Sequence, residues 1–479
     1  MVIMVEFRGE GLTYDDVLIV PKRSRVKSRK EISLKTKLTN NIHLNIPIIS
    51  ANMDTVTESK MAIAMAKAGG IGFIHRFLSI HDQVREVSRV KRFENFVVEN
   101  PYTLPKFISV EDAKEFLKEH NISSALVADS NNYIEGIVTN RDFIFAQNNQ
   151  KLSEIMTPKS RLIMSHTGIS IEDARKILHE NRLEKLPLIN NEGVIKGLIT
   201  SKDILEMQKF PYACKDEKGR LRVGAAIGVK ENDVERAKEL VKAGADVIVV
   251  DIAHGHSDLA INMIQKLKKE FLQIEIVAGN VATPEGVEDL INAGADCIKI
   301  GVGPGALCTT RIVTGSGYPQ LSALIECYKV AKKYDIPLNA DGGIRSSGDI
   351  AKAIAAGAQT VMIGSMLSGT DESPGDFIVK NGTKFKIYRG MASLKAATDR
   401  RKIDSKDKIN IDEIVPEGVE TMVPYKGSAQ DLLKQLVGGL LSGISYGGAN
   451  NISEFQEKAE FVRITDAGMK ESKPHGERG

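Results

Sequence analysis

The stretch Gly301-Val302-Gly303-Pro304-Gly305-Ala306-Leu307-Cys308-Thr309-Thr310-Arg311 ends a glycine-rich turn on a thiol, with two hydroxyls and a guanidinium directly behind it. Three glycines let the backbone fold back and present carbonyls and N–H groups to a ligand. A thiol delivered there can have its thiolate stabilised and act as a nucleophile. The other cysteines read differently. Cys297 lies within an apolar strand and Cys327 on an apolar helix face, and Cys214 is likewise read as a small buried residue. Asp341-Gly342-Gly343 and Gly364-Ser365 form a second pair of loops, whose backbone N–H groups suit a phosphate. A carboxylate repels a phosphate, so Asp341 is the better acceptor for sugar hydroxyls. The plainer alternative is that these glycines only satisfy turn geometry.

These residues need a frame, and a repeat supplies it. Ala243-Gly244-Ala245-Asp246, Ala293-Gly294-Ala295-Asp296 and Ala356-Gly357-Ala358-Gln359 each close an amphipathic helix and lead straight into an apolar strand. Ala66-Lys67-Ala68-Gly69-Gly70 before Ile71 is an earlier unit of the same kind. Short, continuously apolar strands alternating with helices predict a parallel sheet covered on both faces. A (β/α)8 TIM barrel is the closed form of so many units. An open doubly wound sheet is the alternative, but no Gly-x-Gly-x-x-Gly turn opens a first unit. In a barrel, function sits on the loops at the C-terminal ends of the strands. Asp251-Ile252-Ala253-His254-Gly255-His256 and Ala278-Gly279-Asn280 are further loops of that kind.

A different repeat marks an insertion. Gly136-Ile137-Val138-Thr139-Asn140-Arg141-Asp142 recurs as Gly197-Leu198-Ile199-Thr200-Ser201-Lys202-Asp203, each time after a helix-like stretch and a short apolar strand. The pattern resembles a tandem pair of CBS domains over about 93–150 and 151–209, inserted in a barrel made of 1–92 and 210–479. That resemblance implies regulatory adenine or guanine nucleotides held by Thr139 and Asp142, and by Thr200 and Asp203. The simpler role for each Thr and Asp is to cap the following helix.

Composition narrows the class. The chain has 479 residues, of which 42% are hydrophobic and 27% charged, which excludes a disordered chain. With 65 Lys and Arg against 62 Asp and Glu, the net charge of +3 gives no bulk reason to expect nucleic acid or an anionic membrane. No run approaches the roughly 18 apolar residues of a membrane span, and no signal-like apolar core follows Met1. Four cysteines are too few for a disulfide framework, so a reducing, cytoplasmic setting is expected.

Together the motifs resemble the IMP dehydrogenase/GMP reductase family over nearly the whole chain. The matching stretches are Leu12 to Leu18, Asn52-Met53-Asp54-Thr55-Val56, Gly303 to Arg311, Asp341-Gly342-Gly343 and Tyr388-Arg389-Gly390-Met391. The resemblance implies that Cys308 attacks C2 of a purine nucleotide, with Thr310 and Glu417 handling protons. Asp341, Gly342, Gly343, Gly364, Ser365 and Tyr388 would hold ribose and phosphate, with Met53, Gly390, Met391 and Glu417 around the base. Asp251, Asn280 and Gly301 would face NAD+. Gly303, Gly305 and Cys308 would offer carbonyls to K+, completed by Glu471, Ser472 and Lys473 from a neighbouring copy in a homotetramer that can pair into octamers.

Two activities share this chemistry. IMP dehydrogenase hydrolyses a thioimidate on Cys308, with a mobile flap, here about 395–416, carrying an Arg-Tyr pair. GMP reductase eliminates ammonia and takes hydride from NADPH. The segments Val415 to Gly427 and Phe461 to His475 look dehydrogenase-like. Gly317 to Ala323 looks reductase-like, and Ala306 stands where dehydrogenases usually place a serine. In the flap Arg400 keeps the place of the water-activating arginine, but Arg401 replaces its tyrosine. The charged run from Asp399 to Asp407 reads otherwise as a solvated loop. We expect the dehydrogenase, with the reductase as alternative. A nucleotide sensor without turnover is a third possibility, disfavoured by the intact Cys308 loop.

Overall fold

The computed structural model describes residues 7–93, 98–99, 101–120, 122–202, 204–205, 210–404 and 415–474. It divides into two compact units, Met1–Phe93 with Tyr212–Gly479, and Glu94–Pro211. Among the described residues no helix is long and apolar enough to cross a membrane.

In the larger unit eight parallel strands close into a barrel. They are β1 (Ile48–Ser50), β2 (Ile71–Ile74), β3 (Gly224–Ile227), β4 (Val247–Asp251), β5 (Glu275–Val281), β6 (Cys297–Ile300), β7 (Leu338–Asp341) and β8 (Thr360–Ile363). Pairing of Val361 with Ile48, and of Phe73 with Gly224, completes the ring. The strands are apolar on both sides because each side packs. Ile49, Phe73, Val249, Val277, Cys297 and Met362 fill the interior. Ile48, Ile248, Val250, Ile298 and Val361 belong to the cluster that joins the sheet to its helices. Leu38, Ile42 and Leu44 join the inner cluster from a short antiparallel pair. Thr36 Oγ1 of that pair donates to the Gln359 carbonyl at the start of β8 (2.8 Å), so this pair plugs the N-terminal ends of the strands.

The Ala-Gly-Ala repeat has a geometric purpose. Gly244, Gly294 and Gly357 take left-handed φ values of +97°, +107° and +111°, which end each helix at low steric cost. The next polar residue then clamps the neighbouring strand from both sides. Asp246 Oδ2 accepts from Val223 N (2.8 Å), Asp296 Oδ2 from Ile276 N (2.7 Å) and Gln359 Oε1 from Leu338 N (2.8 Å). Their own N–H groups donate back to the carbonyls of Val223, Ile276 and Leu338. Strand register is thus fixed at the bottom of the barrel, and the loops at the top inherit it.

After β8 the chain forms an antiparallel sheet of β9 (Ile378–Lys380), β10 (Thr383–Arg389) and β11 (Glu420–Pro424). Between β10 and β11 lies a helix, Leu394–Asp404. The expected charged loop is therefore helical through Asp404; residues 405–414 of the expected flap lie outside the described residues.

The smaller unit contains two four-stranded sheets. Each repeat copy lends a strand to the other: Thr157–Pro158 pairs with the strand Ile134–Thr139, and Val98–Glu99 with Ile195–Thr200. Ser109 and Ser170 cap the equivalent helices by accepting from Asp112 N and Asp173 N. Asp142 Oδ2 accepts from both Thr139 N (2.7 Å) and Thr139 Oγ1 (2.9 Å). Asp203 lies outside the described residues.

Candidate active site

The Cys308 turn leaves β6 through Gly301, where φ is +146° and a Cβ would stand 2.1 Å from the Asp341 carbonyl oxygen. Only glycine allows that approach of two loops. The turn closes with Cys308 N donating to Gly305 O (3.0 Å). Two remote segments then hold it. Thr309 N donates to Glu417 O (2.9 Å) and Val419 N to Leu307 O (3.0 Å). Glu417 N donates in turn to Ala392 O, and Gly390 N to Val419 O, each at 3.0 Å. The braid of 305–309, 390–392 and 417–419 sets three side chains in a row. Cys308 Sγ donates to Thr310 Oγ1 (3.1 Å), and Thr310 Oγ1 donates to Glu417 Oε2 (2.8 Å). A proton leaving the half-buried thiol has a hydroxyl-bridged route to a carboxylate, as an activated nucleophile needs.

Beside this row lies a buried cation. Lys299, on β6, has a side chain only 2% exposed. Its Nζ donates to Asp251 Oδ1 (3.1 Å), Asp341 Oδ2 (2.9 Å) and Asn280 Oδ1. Asn280 Nδ2 reaches Gly301 O (2.7 Å) and Asp341 Oδ2 (3.0 Å). Burial alone would make the ammonium easier to deprotonate, but the carboxylates of Asp341 and Asp251 outweigh it and hold its pKa above the usual range. Asp251 moves the opposite way: burial raises its pKa, and Lys299 and Arg76 more than reverse this. The tips of β4, β5 and β7 are thereby tied to one ammonium.

A cavity of about 610 Å3 opens over these groups. Of the residues singled out from sequence, Cys308, Thr310, Arg400 and Glu417 line it. So do Asp251, Asn280, Gly301, Gly303, Gly305, Gly390 and Met391. Met53, Asp341, Gly342 and Tyr388 line both it and an adjoining cavity of about 280 Å3, which adds Gly343, Gly364 and Ser365. Glu471, Ser472 and Lys473 are exposed at the end of a C-terminal helix and line neither. Several polar residues of the site, Lys230 among them, do not stand out in the sequence. Lys299 and Arg76 line the larger cavity and Gln320 the smaller, where its Nε2 donates to Ile300 O (2.8 Å). The one available signal for Lys299 is a charge inside the otherwise apolar strand Cys297–Ile300.

The other thiols are buried. Burial pushes Cys214 and Cys327 up to about 12, and Cys297 higher still. Iodoacetamide at pH 8 is therefore expected to add one carbamidomethyl group per native chain, at Cys308. Intact-mass and peptide analysis checks this; a second modified cysteine at comparable rate contradicts it.

A thiol on a glycine turn, a bridged carboxylate and a cavity running to two backbone-rich loops form a specific constellation, and the chain that carries it has close relatives. The model of the IMP dehydrogenase / GMP reductase domain matches residues 11–475. An inosine-5'-monophosphate dehydrogenase of Nitrosopumilus maritimus is 53% identical over 98% of this chain and 99% of its own. A GMP reductase of Leishmania donovani is 50% identical over 97% of each chain. A crystal structure of a Trypanosoma brucei GMP reductase variant in complex with guanosine 5'-monophosphate superposes with a TM-score of 0.90, at 46% identity and 98% coverage of both chains. On sequence and fold alike, the chain belongs to the IMP dehydrogenase/GMP reductase family of purine-nucleotide oxidoreductases.

Proposed function

We propose that this enzyme oxidises IMP to XMP with NAD+. The observation that carries the reading is the Cys308–Thr310–Glu417 row facing a cavity that continues to the Asp341–Gly343 and Gly364–Ser365 loops. Dehydrogenases from several organisms at about this identity over nearly the full chain support the choice.

IMP lies with its phosphate at Gly343, Gly364 and Ser365 and its ribose hydroxyls at Asp341. Tyr388 and Met53 border both parts. Cys308, its proton passed through Thr310 to Glu417, bonds to C2. NAD+ held beside Asp251, Asn280 and Gly301 would supply the acceptor for the hydride that leaves C2. The resulting C2–S thioimidate is then attacked by water that Arg400 activates with help from Thr310; the C–S bond breaks and XMP departs. Asp251, Asn280 and Gly301 line the side of the larger cavity where a nicotinamide would sit.

For K+ the donor set is right in kind: carbonyl oxygens of Gly303, Gly305 and Cys308 on one turn. Gly305 O already accepts from Cys308 N, which leaves it a second lone pair. Glu471, Ser472 and Lys473 are exposed and so available to a neighbouring copy in a homotetramer.

The smaller unit we assign as a CBS pair that binds regulatory adenine or guanine nucleotides. Supporting this is a cavity of about 370 Å3 lined by Thr139, Arg141, Arg161, Arg182 and Lys185; Glu184 pairs with Arg141, and the remaining cations suit phosphates.

One specific feature favours the GMP reductase reading instead. Arg401 stands where the dehydrogenase flap has tyrosine, while the hydrogen-bonded Thr310 and Glu417 serve either reaction. In that reaction Cys308 displaces ammonia from C2 of GMP, and NADPH returns hydride.

Two mixtures decide. IMP with NAD+ should generate absorbance at 340 nm, more slowly when Na+ replaces K+, and Cys308→Ser should abolish it. Consumption of NADPH with ammonia release from GMP, and no reaction of the first mixture, reassigns the enzyme as the reductase. Separately, Arg182→Ala should weaken ATP or GTP binding about tenfold by calorimetry, while basal turnover stays unchanged. Undiminished binding removes the cavity from that role.

A further inference from the structure

The helix that carries Arg400 has little to hold it by apolar contact. From Leu394 to Arg400 Ala396 alone is fully buried, and Leu394 is exposed. A helix without a continuous apolar stripe keeps its place through specific polar contacts. Here the contacts include the Arg400 guanidinium over the Phe77 ring (5.8 Å) and a three-member ion cluster. The Arg389 guanidinium, at the end of β10, donates from Nε to Asp54 Oδ2 (2.7 Å), with Nη2 on the same oxygen. Its Nη1 donates to Asp399 Oδ2 (3.0 Å), on the helix. The Arg389 N–H also reaches Thr55 Oγ1 (3.3 Å).

The two carboxylates are not equivalent. The Asp54 side chain is 6% exposed and directly follows Met53, which lines both cavities; the Asp399 side chain is 37% exposed. Asp54 thus fixes Arg389 to the barrel, and Arg389 presents its remaining edge to the helix. Only a planar fork can span two carboxylates in this way, which a lysine ammonium cannot copy. Ser393 O holds the first turn of the helix by accepting from Ala397 N (2.9 Å). Asp399 holds the second, and Arg400 is its immediate neighbour on the cavity wall.

We propose that Asp399, through Arg389 and Asp54, is the positioning residue that keeps Arg400 over the Cys308 cavity. Its effect on turnover rests on the dehydrogenase reading above; the tether itself does not. Asp399→Asn is the clean probe, because Arg389 keeps its buried partner and the barrel is left intact. Arg389→Lys tests the same tether from the other end, and Asp399→Glu preserves the charge.

Hydrogen exchange on the full chain reads the tether without reference to activity. The amides of 394–404 are expected to exchange several-fold faster in Asp399→Asn and Arg389→Lys, with barrel peptides unchanged and Asp399→Glu close to the native chain. Unchanged exchange in both of the first two variants overturns the proposal. For the reaction, the first-turnover burst of NADH should persist in Asp399→Asn while steady-state turnover falls about tenfold or more. The Glu variant should recover much of the loss. Faster exchange with undiminished turnover overturns the role in positioning Arg400. A native chain that does not oxidise IMP refutes the dehydrogenase reading instead, and the exchange result still decides the tether.

Discussion

The site depends on a hydrogen-bonded row, thiol to hydroxyl to carboxylate, whose members come from distant parts of the chain. Cys308 and Thr310 leave β6, while Glu417 returns only after the whole excursion through β9, β10 and the following helix. No local propensity can align them. Their alignment comes from backbone pairing between the Cys308 turn and residues 417–419, with 390–392 as the third strand of the braid. Pre-arrangement of this kind sets a carboxylate one hydroxyl away from the thiol before any ligand arrives.

The second constraint is the ammonium of Lys299. A charge so deeply buried persists only when paired and hydrogen-bonded, and it finds both in Asp251, Asn280 and Asp341. Those three residues stand at the ends of β4, β5 and β7, so the need to neutralise one lysine also sets the spacing of the loops that face the cavity. Stability of the barrel mouth and geometry of the site are the same interaction seen from two sides.

Much of this is legible in residue order. The Ala-Gly-Ala motifs mark helix ends by their glycine and strand starts by the apolar run behind it. The structure adds the reason for the polar residue between the two, a two-way clamp on the neighbouring strand. Cys308 stands out because glycines surround it, and Cys297 is set apart from it because apolar residues do. Lys299 escapes notice because a charge within an apolar strand carries no hint of which partners will compensate it; that depends on three other strands. The charged stretch at Asp399 resembles a solvated loop, since sequence shows charge but not the half-buried arginine waiting for it. The exchange of strands between the two halves of the smaller unit is equally invisible, because register between copies is a tertiary property.

The central claim is that the Cys308 sulfur bonds to the purine. The direct measurement is mass spectrometry of acid-quenched enzyme during steady-state turnover with IMP and NAD+, followed by peptide mapping. The account predicts a nucleotide-sized mass increase confined to the peptide containing Cys308, absent when NAD+ is omitted and the unoxidised adduct reverts. Active turnover with an unmodified Cys308 peptide, or with the nucleotide attached elsewhere, contradicts it.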